Sequence, residues 1–396
     1  MRRPDLDRIL NSMLESQPGI SDLIFAVDRP FQVESLGELK PVLAHPEVQK
    51  LTPFQTETIA LNMIGNDRRL IRQLIVSGAC DCSYPLNDRL RFRVNIFKQR
   101  GHFTIIMRKP QIEIPTIPGL SLPPIFHEMC KEKNGLILVT GATGSGKTTT
   151  LSAMLNEINE TQAVHVVTLE DPIEFMHANK KSTFSQRELG SDFDSYPAGL
   201  RSALRQAPKV ILIGEMRDRE TVEIALNAAE TGHLVLSTIH TVDAGQSINR
   251  ILGMFDLAEE KQVRLRLADT IRCVASQRLV PRLGGDRMLL LEIMGTNLRV
   301  RESIALGENE QRNFYDIIDA NIPFGWTTFD HSILRAYQAG LLTEETAALY
   351  ATRKGKVSYD IDQYKKKRGL HTEEASGLRL DVDRPTPAKS GIFGGP

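Results

Sequence analysis

Apolar positions along this chain follow two periods, and the period changes from region to region. From Leu6 to Leu14, Thr52 to Ile64 and Arg68 to Ile75 they recur every three to four residues, which predicts helices. Thr52 before Pro53 predicts the N-cap of the second. Asp22–Val27 and Pro30–Val33 alternate and predict strands. Leu90–Phe97 and His102–Arg108 predict a hairpin turning through Gln99, Arg100 and Gly101. Residues 1–108 thus read as one α+β unit. Residues 109–118 carry prolines at 110, 115 and 118, which favours extended chain and predicts an interdomain linker.

From 119 to 296 short apolar runs alternate with helical stretches. The runs are Leu136–Val139, Val164–Leu169, Val210–Ile213, Leu234–Ile239 and Met288–Ile293. This alternation predicts an α/β core around a mostly parallel, doubly wound sheet. Residues 297–368 predict a small helical C-terminal region. The proline- and glycine-bearing stretch 369–396 predicts a disordered tail. The basic run Tyr364–Arg368 reads as a solvated helix face.

Composition narrows the functional classes. The chain has 396 residues, 41% hydrophobic and 25% charged, enough for two or three domains with their own cores. Lys plus Arg and Asp plus Glu number 49 each, so the whole molecule has no net pull toward nucleic acid or anionic lipid. Cys80 and Cys82 are too close for an ordinary disulfide, and no C-x-x-C pair occurs with Cys130 or Cys273, which fits a reduced, intracellular setting without structural zinc. No apolar run approaches the roughly 20 residues of a membrane span. The opening residues carry no apolar stretch behind them, against a signal peptide.

The candidate chemistry centres on Gly141-Ala142-Thr143-Gly144-Ser145-Gly146-Lys147-Thr148, which fits the phosphate-loop pattern G-x-x-x-x-G-K-[ST]. An apolar run precedes it, and a helical stretch from Thr149 to Ile158 follows. The glycines let backbone N–H groups wrap an anion, and the helix start adds partial positive charge. Lys147 is expected on the β- and γ-phosphates of ATP, and Thr148 offers a hydroxyl to Mg²⁺.

Phosphoryl transfer also needs an oriented water and positive charge on the developing oxyanion. Val210–Ile213 runs into Gly214 and Glu215. A carboxylate there can hold Mg²⁺ through water or orient the attacking water; it can also be a surface acid at a strand end. Glu170, Asp171 and Glu174 put three carboxylates within five residues, which calls for a cation, a water network or full solvation. His233 and His240 flank another apolar strand. His240, at its C-terminal end, can report the γ-phosphate by hydrogen bond, or simply pack. Arg91 and Arg93 share one strand face and Arg108 ends the next strand. All three precede the linker, so an arginine from there would reach the nucleotide only when two domains close.

Together these segments resemble the secretion ATPase superfamily, and most closely the type IV pilus retraction ATPases (PilT and PilU). The matching strings are Gly141–Thr149 for Walker A, Leu169–Phe175 for the aspartate box, Ile213–Asp218 for Walker B, and Ala229–His233 with Thr238–Thr241 for the histidine box. The resemblance implies a RecA-like P-loop core with an N-terminal PAS-like domain, six subunits in a ring, and hydrolysis at the interdomain cleft. It assigns water activation to Glu215 and a second catalytic role to Glu174. It also makes His233 and His240 the histidine-box pair, and Arg93 and Arg108 the arginines that reach the nucleotide. It implies a homo-hexamer working on an inner-membrane pilus platform protein, at the inner face of the bacterial inner membrane, with a paralogous retraction ATPase as a further partner. An accessory PilU-like role and a nucleic-acid translocase are the alternatives; neutral charge and few aromatics disfavour the latter, so no nucleic acid is expected. The chain departs from the family at Arg205–Lys209, where acidic residues are missing. It departs again at Leu298–Leu306, which matches the retraction motif only loosely, and Thr328–Asp330 leans toward PilU. Extension ATPases usually carry a four-cysteine zinc insert and a longer N-terminus; without a match to either, retraction rather than assembly is the expectation.

Overall fold

The computed structural model describes residues 3–42, 48–87, 90–109, 113–310 and 312–369. The predicted tail from 370 onward, and residues 110–112 of the predicted linker, lie outside them.

The first lobe is a six-stranded antiparallel sheet with three helices. Its strands are β1 (Ile20–Phe25), β2 (Gln32–Ser35), β3 (Glu38–Pro41), β4 (Ala79–Asn87), β5 (Leu90–Gln99) and β6 (His102–Arg108), in spatial order β3-β2-β1-β6-β5-β4. Arg100 and Gly101 both take positive φ, the turn a tight right-twisted hairpin requires. The helices are α1 (Arg3–Glu15), α2 (Pro53–Ile64) and α3 (Arg68–Ser77). Thr52 caps α2 through a reciprocal box with Gln55, an arrangement that contributes about 1 kcal/mol. The apolar faces of the three helices close over the sheet around Leu6, Leu10, Met13, Phe25, Phe92 and Ile96, a core separate from the rest of the molecule.

The second lobe is built on a seven-stranded sheet. Its strands are β7 (Gly135–Gly141), β8 (His165–Glu170), β9 (Thr183–Glu188), β10 (Val210–Ile213), β11 (Leu234–Ile239), β12 (Ile271–Pro281) and β13 (Arg287–Met294). The order is β13-β12-β7-β11-β10-β8-β9, parallel throughout except for β13 against β12. Helices α4 (Ile125–Lys131) and α5 (Lys147–Thr161) pack on one face. Helices α6 (Tyr196–Ala203), α7 (Arg219–Glu230), α8 (Ala244–Leu252) and α9 (Leu257–Thr270) belong to the core of the other. Every residue of β7 is buried, as expected of a central strand covered on both faces. Ile117, at the end of the predicted linker, is buried in the core beneath α4, so that end is docked.

Helices α10 (Leu298–Leu306), α11 (Phe314–Ala320), α12 (Phe329–Gln338), α13 (Glu344–Tyr350) and α14 (Lys354–Arg368) complete the described chain. The last three pack on the β12–β13 hairpin around Val280, Leu290, Phe329 and Ile361. Arg278 lies 3.7 Å over the Phe329 ring and donates to the Tyr350 carbonyl at 2.9 Å. The hairpin's turn is tied to the same helices by Leu283 N–H donating to Leu341 O. Among the described residues no helix is long and apolar enough to cross a membrane.

Candidate active site

The parallel strands β7, β11, β10 and β8 point their C-terminal ends at one edge, where loops rather than ladder bonds continue the chain. Ligands of open α/β sheets bind at such an edge. The turn from β7 into α5 is Gly141–Gly146. Gly141, Gly144 and Gly146 have φ of 146°, 77° and 88°, values an L side chain rarely adopts. At Gly141 a Cβ would also lie 2.5 Å from the Gln277 carbonyl oxygen. No side chain caps α5, so the N–H groups of its first turn stay available to an anion. The buried Ser145 hydroxyl has no partner among the described residues.

Lys147 folds back over this turn. Its ammonium donates to the Gly141 and Ala142 carbonyls at 2.9 and 3.0 Å and to His240 Nδ1 at 3.4 Å. An ammonium only donates, so Nδ1 accepts and the ring proton sits on Nε2, 3.2 Å from Glu215 Oε1. The other Glu215 oxygen accepts from Arg217 at 2.7 Å. Lys147, His240, Glu215 and Arg217 thus form one hydrogen-bonded chain across the ends of β7, β11 and β10. Burial lowers the Lys147 pKa, opposed by the charge of Glu215. At Glu215 burial pushes the pKa up, but the hydrogen bond and charge of Arg217, with the His240 N–H contact, outweigh it and hold it down.

Beside this chain, Glu170 ends β8 fully buried. Burial pushes its pKa up to about 7, against hydrogen bonds from Thr168 (2.6 Å) and Gln186 (3.2 Å). The nearby charge of Glu174 adds a smaller push in the same direction. On the other flank Gln277 of β12 donates to Thr150 of α5 at 2.6 Å, fixing the helix start against the sheet.

A cavity of about 570 Å³ joins these groups, within the range of small-molecule sites. Thr143, Gly144, Gly146, Lys147, Thr148 and Thr149 line it, facing Glu174, Glu215 and His240. Arg93 enters the same cavity from the first lobe, and its guanidinium has no hydrogen-bond or ion-pair partner among the described residues. Arg108 sits in an adjoining cavity of about 280 Å³ shared with Arg93, Thr149 and Glu174, and is held 2.9 Å from Asp22. The lobes also meet where Ser83 and Arg91 contact Glu188 at 2.6 and 3.4 Å.

His233 does not join the cluster within one chain. It precedes β11 at the end opposite His240, roughly 20 Å away at about 3.3 Å per residue, and its Nδ1 bonds to the Ala228 carbonyl at 2.9 Å. Gly141, Ala142 and Ser145 shape the turn without lining the cavity. The cavity also takes in Arg217 and Arg287, which the sequence reading does not single out. Arg217 had a signal, two positions beyond Glu215; Arg287 had none.

Residues 122–307 match the family described as Type II/IV secretion system protein, and the α/β fold is that of the secretion ATPases. The type IV pilus ATPase PilU of Pseudomonas aeruginosa is 32% identical over 97% of this chain and 98% of its own length. The type IV pilus retraction ATPase PilT of the same organism is 36% identical over 84% of this chain and 94% of its own. The crystal structure of the pilus retraction motor PilT with bound ADP superposes with a TM-score of 0.79 at 37% identity, covering 91% of this chain and 99% of that one. The chain belongs to the PilT/PilU family of type IV pilus ATPases, and it is an ATPase.

Proposed function

We propose that this chain is the ATP-driven motor of type IV pilus retraction, the process that powers twitching motility. It acts as a homo-hexameric ring whose subunits turn closure of two lobes into force on an inner-membrane pilus platform protein. The ring works from the cytoplasm, held at the membrane through partners. The first lobe (1–108) is read as PAS-like, joined by the linker (109–118) to a RecA-like core (119–296) and a helical C-terminal region (297–368). The observation that carries the proposal is a cavity around the phosphate loop lined from both lobes, with Arg93, which has no partner among the described residues, in the same lining as the loop and Glu215.

In this reading the triphosphate draws Lys147 away from the Gly141 and Ala142 carbonyls onto the β- and γ-phosphates. Lys147 movement breaks its contact with His240, so His240 carries γ-phosphate occupancy to Glu215. Glu215 accepts the proton of the attacking water as the water oxygen bonds the γ-phosphorus and the bond to the leaving ADP breaks, with Glu174 at the rim as a second catalytic carboxylate. Arg93 and Arg108 stabilise charge on the transferring phosphoryl group when the lobes close. The donor set suits Mg²⁺: the Thr148 hydroxyl and the Glu215 carboxylate line one cavity, and hard oxygen ligands are what that cation takes. When bound, Mg²⁺ supplies charge neutralisation on the phosphates. His233, on the far end of β11, is assigned to contacts between neighbouring subunits.

The test couples size measurement with and without ATP to phosphate release, and follows pili in cells carrying Lys147→Ala. A retraction motor forms an ATP-stabilised ring, hydrolyses ATP, and leaves surface pili in place when inactivated. Loss of surface pili in that strain would point instead to assembly. A PilU-like accessory role is the second reading, favoured by the alignment to PilU over nearly the full length of both chains. It predicts that retraction survives loss of this protein at reduced force.

A further inference from the structure

Arg287 opens β13 immediately after the β12–β13 turn, and no sequence motif marks it. Side chains alternate along this strand. Leu289 and Leu291 pack into the core beneath α4 and α5, whereas Met288 and Leu290 face the C-terminal helices. Arg287 is two residues before Leu289, so it faces the α5 side. It lines the same cavity as Thr143, Gly144, Lys147 and Thr148.

The charges in that cavity are unevenly distributed. Glu170, Asp171, Glu174 and Glu215 all lie on the β8–β10 flank of the phosphate loop. Arg217, on that flank, is bound to Glu215. Arg287 is the cation on the opposite flank, beyond β12. Its guanidinium has no hydrogen-bond or ion-pair partner among the described residues. Leu279, paired with Leu289 across the hairpin, gives the cavity an apolar wall beside it. A polyanion seated on the loop would turn some oxygens toward the acidic flank, where a cation and the attacking water would be held, and the others toward β12–β13. Among the described residues lining the cavity, Arg287 is the cation on the β12–β13 side, and guanidinium is the group best matched to phosphate oxygens.

We infer that Arg287 is a phosphate-contacting residue of the nucleotide site, supplied by the β12–β13 hairpin in addition to the phosphate loop and Arg93. This rests on the ATPase reading above and extends it.

Titration calorimetry of the full chain with a non-hydrolysable ATP analogue and Mg²⁺ tests it. One charge-assisted contact predicts about tenfold or greater weakening in Arg287→Ala, with partial recovery in Arg287→Lys. Inorganic tripolyphosphate, used as a competitor, is expected to weaken by a similar factor. The melting temperature without nucleotide is expected to stay at the wild-type value, because the side chain is exposed and unpaired. Wild-type affinity in Arg287→Ala overturns the inference, returning Arg287 to a solvated surface. Tripolyphosphate competition that Arg287→Ala leaves untouched also overturns it. Failure of the wild-type protein itself to bind the analogue defeats the ATPase reading and this inference together, whereas loss of binding in Lys147→Ala with wild-type affinity in Arg287→Ala keeps the ATPase reading and defeats this inference alone.

Discussion

Glu215→Gln isolates the chemistry from the binding. Glutamine keeps the shape and one acceptor oxygen for the His240 Nε2–H, now 3.2 Å from Oε1, but cannot take a proton from water. The side chain is only 17% exposed, so solvent cannot easily substitute for it. General-base removal costs about 10²–10⁴ in rate, roughly 3–5 kcal/mol. Steady-state phosphate release is therefore expected to fall at least about 100-fold, with affinity for the ATP analogue kept. The pH dependence sharpens the test. Burial raises the Glu215 pKa, and the Arg217 bond is the largest influence lowering it. Arg217→Ala removes that influence, so the carboxylate protonates at higher pH and the acid limb of the rate profile moves up. Its activity loss is expected to be larger at pH 5.5 than at pH 8. Turnover near wild type in Glu215→Gln, from intact rings, would refute the base assignment. An acid limb unmoved in Arg217→Ala would show that Arg217 does not govern it.

Lys147→Ala is expected to abolish measurable ATP binding in calorimetry, and retained affinity would undo the phosphate-loop assignment. Arg93→Ala and Arg108→Ala are both expected to lower turnover at nearly unchanged analogue affinity. Arg108→Ala alone also lowers the melting temperature, because it strips the buried Asp22 of its partner; equal melting temperatures would contradict the structural distinction. Burial lifts the Glu170 pKa above its unfolded value, to about 7, so the folded state binds the extra proton between the two values. Stability assayed without nucleotide is then fully present below about pH 4.5 and lost as pH rises toward 7. Glu170→Gln is expected to flatten that fall in a pH series of melting curves, and parallel wild-type and variant curves would refute it.

Much of the site was readable because phosphate binding demands fixed residue types at fixed spacing. Gly141–Thr148, Glu215 and His240 meet where the sequence placed them, since the continuous apolar runs of β7, β10 and β11 left no doubt about which strand ends they occupy. Polar strands were harder. β9, with the sequence Thr183–Glu188, is an edge strand with little apolar pattern, and β4 carries Pro85 at another sheet edge. β12 hid for a different reason: its Ser276, Gln277 and Arg278 spend their polarity inside the protein, on Thr140, Thr150 and Tyr350. Arg93 and Arg108 looked equivalent in sequence. Only tertiary structure shows that one faces the cavity unpaired and the other is taken by Asp22. Arg287 depends entirely on the hairpin's position and has no local signature.

Two consecutive residues of β12 hold opposite ends of the machine. Gln277 grips the helix that begins at Lys147, and Arg278 grips the helices that carry Phe329 and Tyr350. A backbone this short has no slack between them. In the proposed motor, a tilt of the first helix on phosphate release would be carried by the strand, like a see-saw, to the far helices. Lobe closure would then have a second mechanical path, through helices that line no part of the cavity around the phosphate loop.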